Sequence, residues 1–354
     1  MKIAETYEHI ATVLGNAGME DADTEARIIL RESAGLSPTD IHMRPDAELD
    51  EAVSAQITDI INRRLMREPL QYIYGRWDFM GLVFSVKPGV LIPRPDTEIL
   101  VETALSELHD GMKILDLCTG TGCILISLLK YSNDCEGIGV DISPEALELA
   151  KQNAAEILGE AGSGSGGSGL ESWTSDAGSG GSGAGSGQSG LESEASGAGY
   201  AFLQGDLYDA LARGDEDYSS PAASASTASA CSNASASTAS ACSDASTASR
   251  FDMIVSNPPY IPARVIDTLA PEVKDYEPHL ALDGGDDGLD IIRRIIDGAS
   301  EHLVRGGWLF LEIGYDQGES VSALMCEAGF VDVEVIPDYA GLDRVVSGRL
   351  PIMI

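Results

Sequence analysis

Short apolar runs alternate with helical segments from Lys113 onward, and this alternation constrains the fold more than any other feature of the chain. Parallel strands that are buried on both faces read as nearly continuous apolar runs, and their connections usually contain a helix. The pattern therefore predicts a doubly wound α/β sheet. The predicted strands are 113–118, 136–141, 201–206, 251–257, 308–314, 331–337 and 344–350.

The connection between the last two predicted strands is unusually short. It consists only of residues 338–342, whereas a parallel crossover needs about a dozen residues or more. These two strands are therefore predicted to be antiparallel. The fold class predicted from the sequence is a seven-stranded, Rossmann-like α/β sheet with one antiparallel strand.

The residues before the sheet are predicted to form separate units. Residues 1–75 show helical spacing, with a helix starting near Asp21 and another over about 47–67, and Pro69 is predicted to end the helical region. Residues 76–95 contain two short alternating runs split by Gly81, which predict a hairpin linker. The remaining residues, 96–354, form the predicted catalytic domain.

Two low-complexity segments interrupt the alternation. Residues 159–199 are rich in Gly and Ser, and residues 214–249 repeat the sequence ASASTASACS. Both contain too few large apolar residues to offset the entropy of ordering, so they are predicted to be disordered. Each falls between a helix and the next strand, at the amino-terminal edge of the sheet, whereas ligands of such sheets bind at the carboxyl edge.

The charge of the chain argues against nucleic acid as a direct partner. The formal net charge is −35 over 354 residues, and a polyanion repels nucleic acid unless a basic patch overrides the global field. The densest basic cluster is Arg63, Arg64 and Arg67, which is interpreted as a solvated helix face. An acidic surface suits a basic protein partner instead.

Cysteine spacing and hydropathy predict a cytoplasmic chain that neither crosses a membrane nor binds a metal. The six cysteines form no CxxC pair and no Cys/His metal spacing. No run approaches 18 apolar residues, and the first residues contain no apolar signal segment. Free thiols in a reducing cytosol are the expected state.

A glycine-rich turn follows the first strand of the predicted sheet. Residues 118–122 (Cys118, Thr119, Gly120, Thr121 and Gly122) allow backbone N–H groups to approach a ligand at the start of a helix. Asp141 ends the next strand, where an acid can accept hydrogen bonds from both ribose hydroxyls. Together they predict a nucleoside-containing cofactor, and NAD remains open here although the turn lacks GxGxxG.

Asp206 and Leu207 follow the third strand and are assigned to the same cofactor site. Asp206 is placed to meet an adenine amino group. The alternative for Asp206 is a helix N-cap without contact to a ligand.

The tetrapeptide Asn257-Pro258-Pro259-Tyr260 follows an apolar strand and predicts the chemistry. The prolines stiffen the backbone and remove donors, so the Pro258 carbonyl and the Asn257 side-chain oxygen form a pair of acceptors. Two such acceptors can bind both hydrogens of one NH2 group, while Tyr260 offers a flat face for a planar amide or base. Electron density returned to that nitrogen favours attack on the sulfonium methyl of S-adenosylmethionine.

With these motifs, the chain resembles the release-factor glutamine N5-methyltransferases, within the class I S-adenosylmethionine-dependent methyltransferase fold. Apart from the low-complexity segments, the resemblance runs nearly from end to end. The further stretches that carry it are Leu91–Glu98, Tyr276–Pro278, Gly284–Leu289 and Leu311–Gly314.

The resemblance implies a substrate, a cofactor and the residues that bind them. The substrate is the glutamine of the Gly-Gly-Gln loop in peptide-chain release factors, and the cofactor leaves as S-adenosylhomocysteine without a metal. Residues 118–122 and Asp141 hold the cofactor, Asn257 contacts cofactor and substrate, and the rest of the tetrapeptide completes the glutamine pocket. The enzyme is expected to act as a monomer.

The chain departs from the family pattern at one position, and the roles of two further residues are ambiguous. Cys118 occupies a position where glycine is common, so the turn must tolerate a Cβ atom there. Arg94 and Glu98 either form an ion pair that braces the linker or shape the glutamine pocket.

Two other functions remain open at this level. The first is an amino methyltransferase acting on adenine N6 in nucleic acid, which presents the same NH2 geometry. It is disfavoured by the acidic charge and by the absence of a recognisable target-recognition domain. The second is a non-catalytic cofactor-binding protein, which is disfavoured by the intact tetrapeptide.

Overall fold

The computed structural model describes residues 1–159, 199–212 and 250–352. Apart from Gly159 and Gly199, the two predicted low-complexity segments lie outside the described residues. Their neighbouring elements place both segments between a helix and the next strand, as the sequence predicts.

A seven-stranded sheet forms the centre of the larger part of the chain, with the strand order β5-β4-β3-β6-β7-β9-β8. Strand β9 runs antiparallel to both of its neighbours, and the other neighbouring pairs are parallel. The predicted fold is therefore confirmed. The strands are β3 Lys113–Leu117, β4 Glu136–Asp141, β5 Tyr200–Gln204, β6 Phe251–Ser256, β7 Leu303–Glu312, β8 Val331–Pro337 and β9 Asp343–Arg349.

Helices cover both faces of this sheet. Leu100 and Leu125 are buried in the apolar cluster on one face, and Ile292 and Val321 are buried on the other. Local sequence sets the helix starts: Ser143 caps α8 by accepting from the Ala146 N–H at 3.2 Å. The helices are α6 Thr97–Glu107, α7 Cys123–Lys130, α8 Pro144–Leu158, α9 Asp209–Ala212, α10 Ala263–Ile266, α11 Pro271–Lys274, α12 Asp290–His302 and α13 Gly318–Glu327.

Five helices form the amino-terminal part, around an apolar cluster that includes Ile10, Leu30 and Ile57. The prediction that Pro69 ends the helical region is wrong. Pro69 is the residue before one further helical turn, where its missing N–H costs nothing because the first amides of a helix lack partners anyway. The helices are α1 Ile3–Asn16, α2 Ala22–Ala34, α3 Pro38–Met43, α4 Glu51–Leu65 and α5 Leu70–Tyr74.

The predicted hairpin is confirmed as β1 Arg76–Phe79 and β2 Leu82–Ser85. Its two turn residues, Met80 and Gly81, both have positive φ, as a tight two-residue hairpin turn requires. The Met80 N–H donates to Glu98 Oε1 at 2.6 Å, which ties the hairpin to the start of α6. No helix within the described ranges is long and apolar enough to cross a membrane.

The basic cluster at the end of α4 is not a solvated face. Arg64 is only 3% exposed and makes a bidentate ion pair with Glu25, with its Nη2 also 3.3 Å from Glu272 of α11. Arg67 pairs with the same Glu272 at 3.0 Å, and the Tyr276 hydroxyl donates to the Met66 carbonyl. The cluster therefore attaches the helical part to the segment that follows the Asn-Pro-Pro-Tyr sequence.

Replacing Arg64 by alanine is expected to lower the free energy of unfolding by about 3 kcal/mol, because the partly buried Glu25 loses its bidentate partner and Glu272 keeps only Arg67. Arg63, which pairs with Glu68 in a more exposed position, is the matched control. Arg63→Ala is expected to cost about 1 kcal/mol or less. Urea denaturation of both variants measures the difference, and equal losses would contradict a structural role specific to Arg64.

Candidate active site

The carboxyl ends of four parallel strands open into one cavity of about 320 Å³. Leu117 of β3 is paired with Val140 of β4 and with Ser256 of β6, so the loops after these strands emerge side by side. Nine of the predicted site residues line the cavity: Cys118, Thr119, Gly120, Thr121, Asp141, Asp206, Leu207, Asn257 and Pro259. Gly122, Pro258 and Tyr260 are not among its lining residues.

Asp141 forms the end of β4 beside the glycine-rich turn. Its Oδ2 accepts the Gly120 N–H and its Oδ1 accepts the Ser143 N–H, both at 2.9 Å. A carboxylate offers about four lone-pair sites, so each oxygen keeps acceptor capacity for a ligand hydroxyl. Burial raises the pKa of Asp141, and the backbone hydrogen bonds oppose that rise by stabilising the charge. The arrangement fits two neighbouring hydroxyls, as in a ribose.

Backbone conformation explains the composition of the glycine-rich turn. Gly120 and Gly122 have φ of +55° and +80°, in the region that favours glycine. A Cβ atom on Gly122 would also lie 2.8 Å from Ile126 Cδ1 and 3.2 Å from Ala150 Cβ, so α7 and α8 could not pack as closely. The turn therefore needs glycine at 122 for helix packing, even though this residue does not line the cavity.

Cys118 has a φ of +60° in the same turn. A side chain in this conformation costs on the order of 1–2 kcal/mol, so the Cβ is tolerated at the expense of strain. The Cys118 side chain packs against the apolar cluster that contains α12 and α13. Burial raises the pKa of its thiol, which therefore stays protonated and is not a nucleophile at neutral pH.

The hydroxyl of Thr119 is already engaged within the protein. It donates to Asp116 Oδ2 at 2.6 Å, and Asp116 is completely buried beneath the turn. Burial raises the pKa of Asp116 to about 7. The Thr119 hydroxyl therefore holds the turn to the end of β3, and the residue itself lines the cavity.

Asp206 lies in an ion pair across the cavity. Its Oδ2 is 2.9 Å from Nη2 of Arg294, which projects from α12 and also lines the cavity. This pairing differs from the N-cap alternative, in which the carboxylate would accept from the amides of α9. Leu207, the next residue, is buried with a φ of +52°.

Asn257 follows β6 and lines the cavity at its junction with α6. Its Nδ2 donates to Thr97 Oγ1 at 3.2 Å. Within the described ranges, no donor reaches Asn257 Oδ1 or the Pro258 carbonyl. Both oxygens therefore keep their acceptor capacity for a ligand.

Hydrogen bonds to the backbone hold the tetrapeptide and the residue after it in place. Gly284 N–H donates to the Ile261 carbonyl at 2.9 Å, and Gln317 Nε2 donates to the Tyr260 carbonyl at 2.9 Å. A Cβ atom on Gly288 would lie 2.3 Å from that same Tyr260 carbonyl. The glycines of the Gly284–Leu289 stretch are therefore needed for close approach to the loop.

The Tyr260 side chain is half-buried and does not line the cavity. Its hydroxyl donates to Glu312 Oε1 at 3.2 Å. Burial raises the pKa of Tyr260, and the neighbouring Glu312 adds to the rise. Stacking of a substrate on this ring stays a prediction.

Of the two alternatives for Arg94 and Glu98, the ion pair between them is wrong. Arg94 pairs with Glu277, whose side chain is 1% exposed, and Glu98 accepts the Met80 amide of the hairpin turn. Glu277 is the more favourable partner because its burial makes an unpaired charge costly. Arg94 also lines the cavity, so it both braces the linker and forms part of the site wall.

Comparison with known proteins gives two matches to family models and several long relatives. Residues 5–75 match the PrmC N-terminal domain, and residues 108–158 match a methyltransferase domain. A release factor glutamine methyltransferase of Geobacter sulfurreducens is 35% identical over 337 residues, covering 95% of this chain and 93% of the relative. The chain belongs to the release factor glutamine methyltransferase family.

Other members of this family cover the chain equally well. The release factor glutamine methyltransferase of Cereibacter sphaeroides is 34% identical over 351 residues, with 99% of each chain covered. Among solved structures, the release factor-specific protein-(glutamine-N5) methyltransferase of Alicyclobacillus acidocaldarius is 24% identical with a TM-score of 0.35, covering 76% of this chain and 100% of that one. The Geobacter sulfurreducens and Cereibacter sphaeroides relatives confirm the family and the enzyme class that the motifs indicate.

Three residues of the site were not assigned from the sequence. Thr97 and Glu312 lie within stretches that carry the family resemblance, so that resemblance is the signal that marks them. Arg294 lies on an amphipathic helix among other charged residues and has no comparable signal.

Proposed function

We propose that this chain transfers a methyl group from S-adenosylmethionine to the side-chain amide nitrogen of the glutamine in the Gly-Gly-Gln loop of peptide-chain release factors. The observation that carries the proposal is a pair of free acceptors on consecutive residues, Asn257 Oδ1 and the Pro258 carbonyl. Asn257 lines the cavity that Asp141 and the glycine-rich turn also border. Family membership supports the same activity.

The residues of the cavity fit S-adenosylmethionine. Asp141 has acceptor capacity for two ribose hydroxyls, and the turn at 118–122 gives close backbone approach at the start of α7. Asp206, with its charge balanced by Arg294, is assigned to the adenine amino group. When bound, the cofactor supplies an electrophilic methyl group on a sulfonium.

The tetrapeptide prepares the substrate nitrogen for reaction. The lone pair of an amide nitrogen is delocalised into the carbonyl, which makes the nitrogen a poor nucleophile. Asn257 Oδ1 and the Pro258 carbonyl accept hydrogen bonds from its two N–H groups, which returns electron density to nitrogen and fixes its orientation. One of these two protons is lost to solvent as the nitrogen gains the methyl group. The two prolines keep the acceptors in place because their φ angles cannot rotate freely.

The division of the chain follows from this activity. We assign residues 1–75 to recognition of the release factor, residues 76–95 to a hairpin linker and residues 96–354 to catalysis. The negative net charge favours a basic surface on the protein substrate. The enzyme is proposed to act as a monomer in the cytoplasm.

A methyl-transfer assay on three substrates side by side tests the proposal. Labelled S-adenosylmethionine is offered with release factor, DNA or tRNA, and label is expected only in the release factor. Replacing the loop glutamine of that substrate by alanine is expected to abolish labelling. Label in DNA or tRNA would instead support the adenine N6 activity, and no label in any substrate would favour a binding protein.

A further inference from the structure

Glu312 is a buried carboxyl group next to the reaction site that the proposed chemistry leaves unexplained. It ends β7, beside the end of β6, and is 1% exposed. Its Oε1 accepts the Tyr260 hydroxyl at 3.2 Å. Its Oε2 is buried and has no hydrogen-bond partner within the described ranges. The neighbouring Thr97 hydroxyl lowers the pKa of this carboxyl, so Thr97 lies close enough to be a donor for that oxygen.

Thr97 connects this carboxyl to Asn257. Thr97 is the first residue of α6, is 1% exposed and accepts the Asn257 Nδ2 at 3.2 Å. An ionised carboxylate only accepts, and a hydroxyl has one hydrogen to donate. A Thr97 hydroxyl that donates to Glu312 therefore presents only a lone pair to Asn257.

The direction of these hydrogen bonds determines which end of the Asn257 amide faces Thr97. A lone pair on Oγ1 binds the NH2 end and leaves Oδ1 free for the ligand. If the Thr97 hydrogen pointed at Asn257, the amide would turn over and place NH2, a donor, where the substrate NH2 needs an acceptor. A charged Glu312 that takes the Thr97 hydrogen would therefore fix the orientation on which the proposed function rests.

We propose that Glu312 and Thr97 are positioning residues that hold the Asn257 side chain with its oxygen available to the substrate. Neither residue is required to touch the reacting atoms. Their effect is transmitted by the hydrogen bond from Asn257 Nδ2 to Thr97 Oγ1 and by donation of the Thr97 hydroxyl hydrogen to the otherwise unpaired Glu312 Oε2.

The pH dependence of turnover follows from the surroundings of Glu312. Burial raises its pKa to about 7, opposed by Thr97, by the Arg344 guanidinium of β9 and by the Tyr260 hydroxyl, while Asp96 raises it further. Below this pH the protonated carboxyl can donate to Thr97, which reverses the direction of the hydrogen bonds between Glu312, Thr97 and Asn257. Turnover is expected to rise as Glu312 ionises, and Glu312→Gln is expected to lack that rise.

Thr97→Val tests the relay with almost no change in side-chain shape. It is expected to lower kcat roughly 10- to 100-fold while the cofactor Kd changes less than about 3-fold, because only the orientation of Asn257 is lost. Thr97→Ser, which restores the hydroxyl, is expected to recover most of kcat. Equal kcat for the valine and serine variants would overturn the proposal.

Glu312→Gln adds a readout that separates positioning from structural support. The folded wild type must carry a buried charge above about pH 7, whereas the unfolded chain ionises near 4.5 at no such cost. The wild type therefore loses stability as pH rises from about 4.5 through 7, and the variant does not. We expect the variant to melt a few degrees above wild type at pH 8 and to turn over more slowly. A variant that melts lower at pH 8 would contradict the proposal.

Solvent exchange of the Asn257 amide hydrogens tests the relay without any substrate. In full-length protein labelled with 15N-asparagine, the signal absent from Asn257→Ala identifies the side chain. Its exchange is expected to be slow in wild type and faster in Thr97→Val. Inactivity of the wild type towards release factor would overturn the proposed function alone, whereas unchanged exchange would overturn the relay alone.

Discussion

Asn257→Ala is expected to lower kcat for methylation of release factor by about 100- to 1000-fold, because one of the two acceptors for the substrate NH2 is removed from a preorganised site. Cofactor affinity is expected to change far less, since Asp141 and the glycine-rich turn remain intact. Single-turnover methyl transfer gives the rate constant, and calorimetric titration with S-adenosylhomocysteine gives the Kd.

Asn133→Ala is the matched control for this variant. Asn133 is exposed between α7 and β4, at the sheet edge opposite the cavity, where its side chain contacts Asp110. Its turnover is expected to equal that of wild type. Unchanged turnover in Asn257→Ala would exclude a catalytic role for the residue.

Asp141→Ala is expected to raise the cofactor Kd by about 100-fold, since hydrogen bonds to a charged acceptor contribute roughly 1.5–3 kcal/mol each. Loss of the carboxylate removes the acceptors for the ribose hydroxyls. It also leaves the Gly120 and Ser143 amides without their partner, so the turn itself loses support. At saturating cofactor, kcat is expected to fall much less than the affinity.

Asp110→Ala also removes one negative charge, but at an exposed position on the opposite edge of the sheet. This variant separates loss of the Asp141 contacts from a general change in net charge. We expect its cofactor Kd to match that of wild type. An unaltered Kd in Asp141→Ala would count against binding of the ribose by this residue.

Much of the site could be predicted from the sequence because the topology of the sheet determines where most of the site residues lie. Parallel strands end at a common edge, so Asp141 after β4 and Asn257 after β6 must lie near the turn that follows β3. The short connection at 338–342 likewise leaves no room for a parallel crossover. These are consequences of local pattern and chain connectivity.

Pairings between distant charged residues could not be predicted in the same way. Arg64 reaches Glu272, and Arg94 reaches Glu277 rather than the nearby Glu98. Four strands of the sheet, β3 to β6, lie between each arginine and its partner in sequence. Spacing along the chain carries no information about such contacts, whereas burial of one carboxylate decides which of them form.

The role of Glu312 within the site could not be predicted from the sequence either. The stretch Leu311–Gly314 marks this residue by its family resemblance, but an apolar strand end gives no reason for a carboxylate there. Only the hydrogen bond from Tyr260 and the proximity of Thr97 connect it with Asn257. Its function therefore depends on contacts between β7, α6 and the loop after β6.

A crystal structure of the full chain with S-adenosylhomocysteine and a peptide containing Gly-Gly-Gln tests the paired acceptors most directly. We expect the glutamine side-chain nitrogen within hydrogen-bond distance of both Asn257 Oδ1 and the Pro258 carbonyl, with the nucleoside beside Asp141. A glutamine amide bound away from both oxygens, or a nucleoside far from this loop, would contradict the assignment.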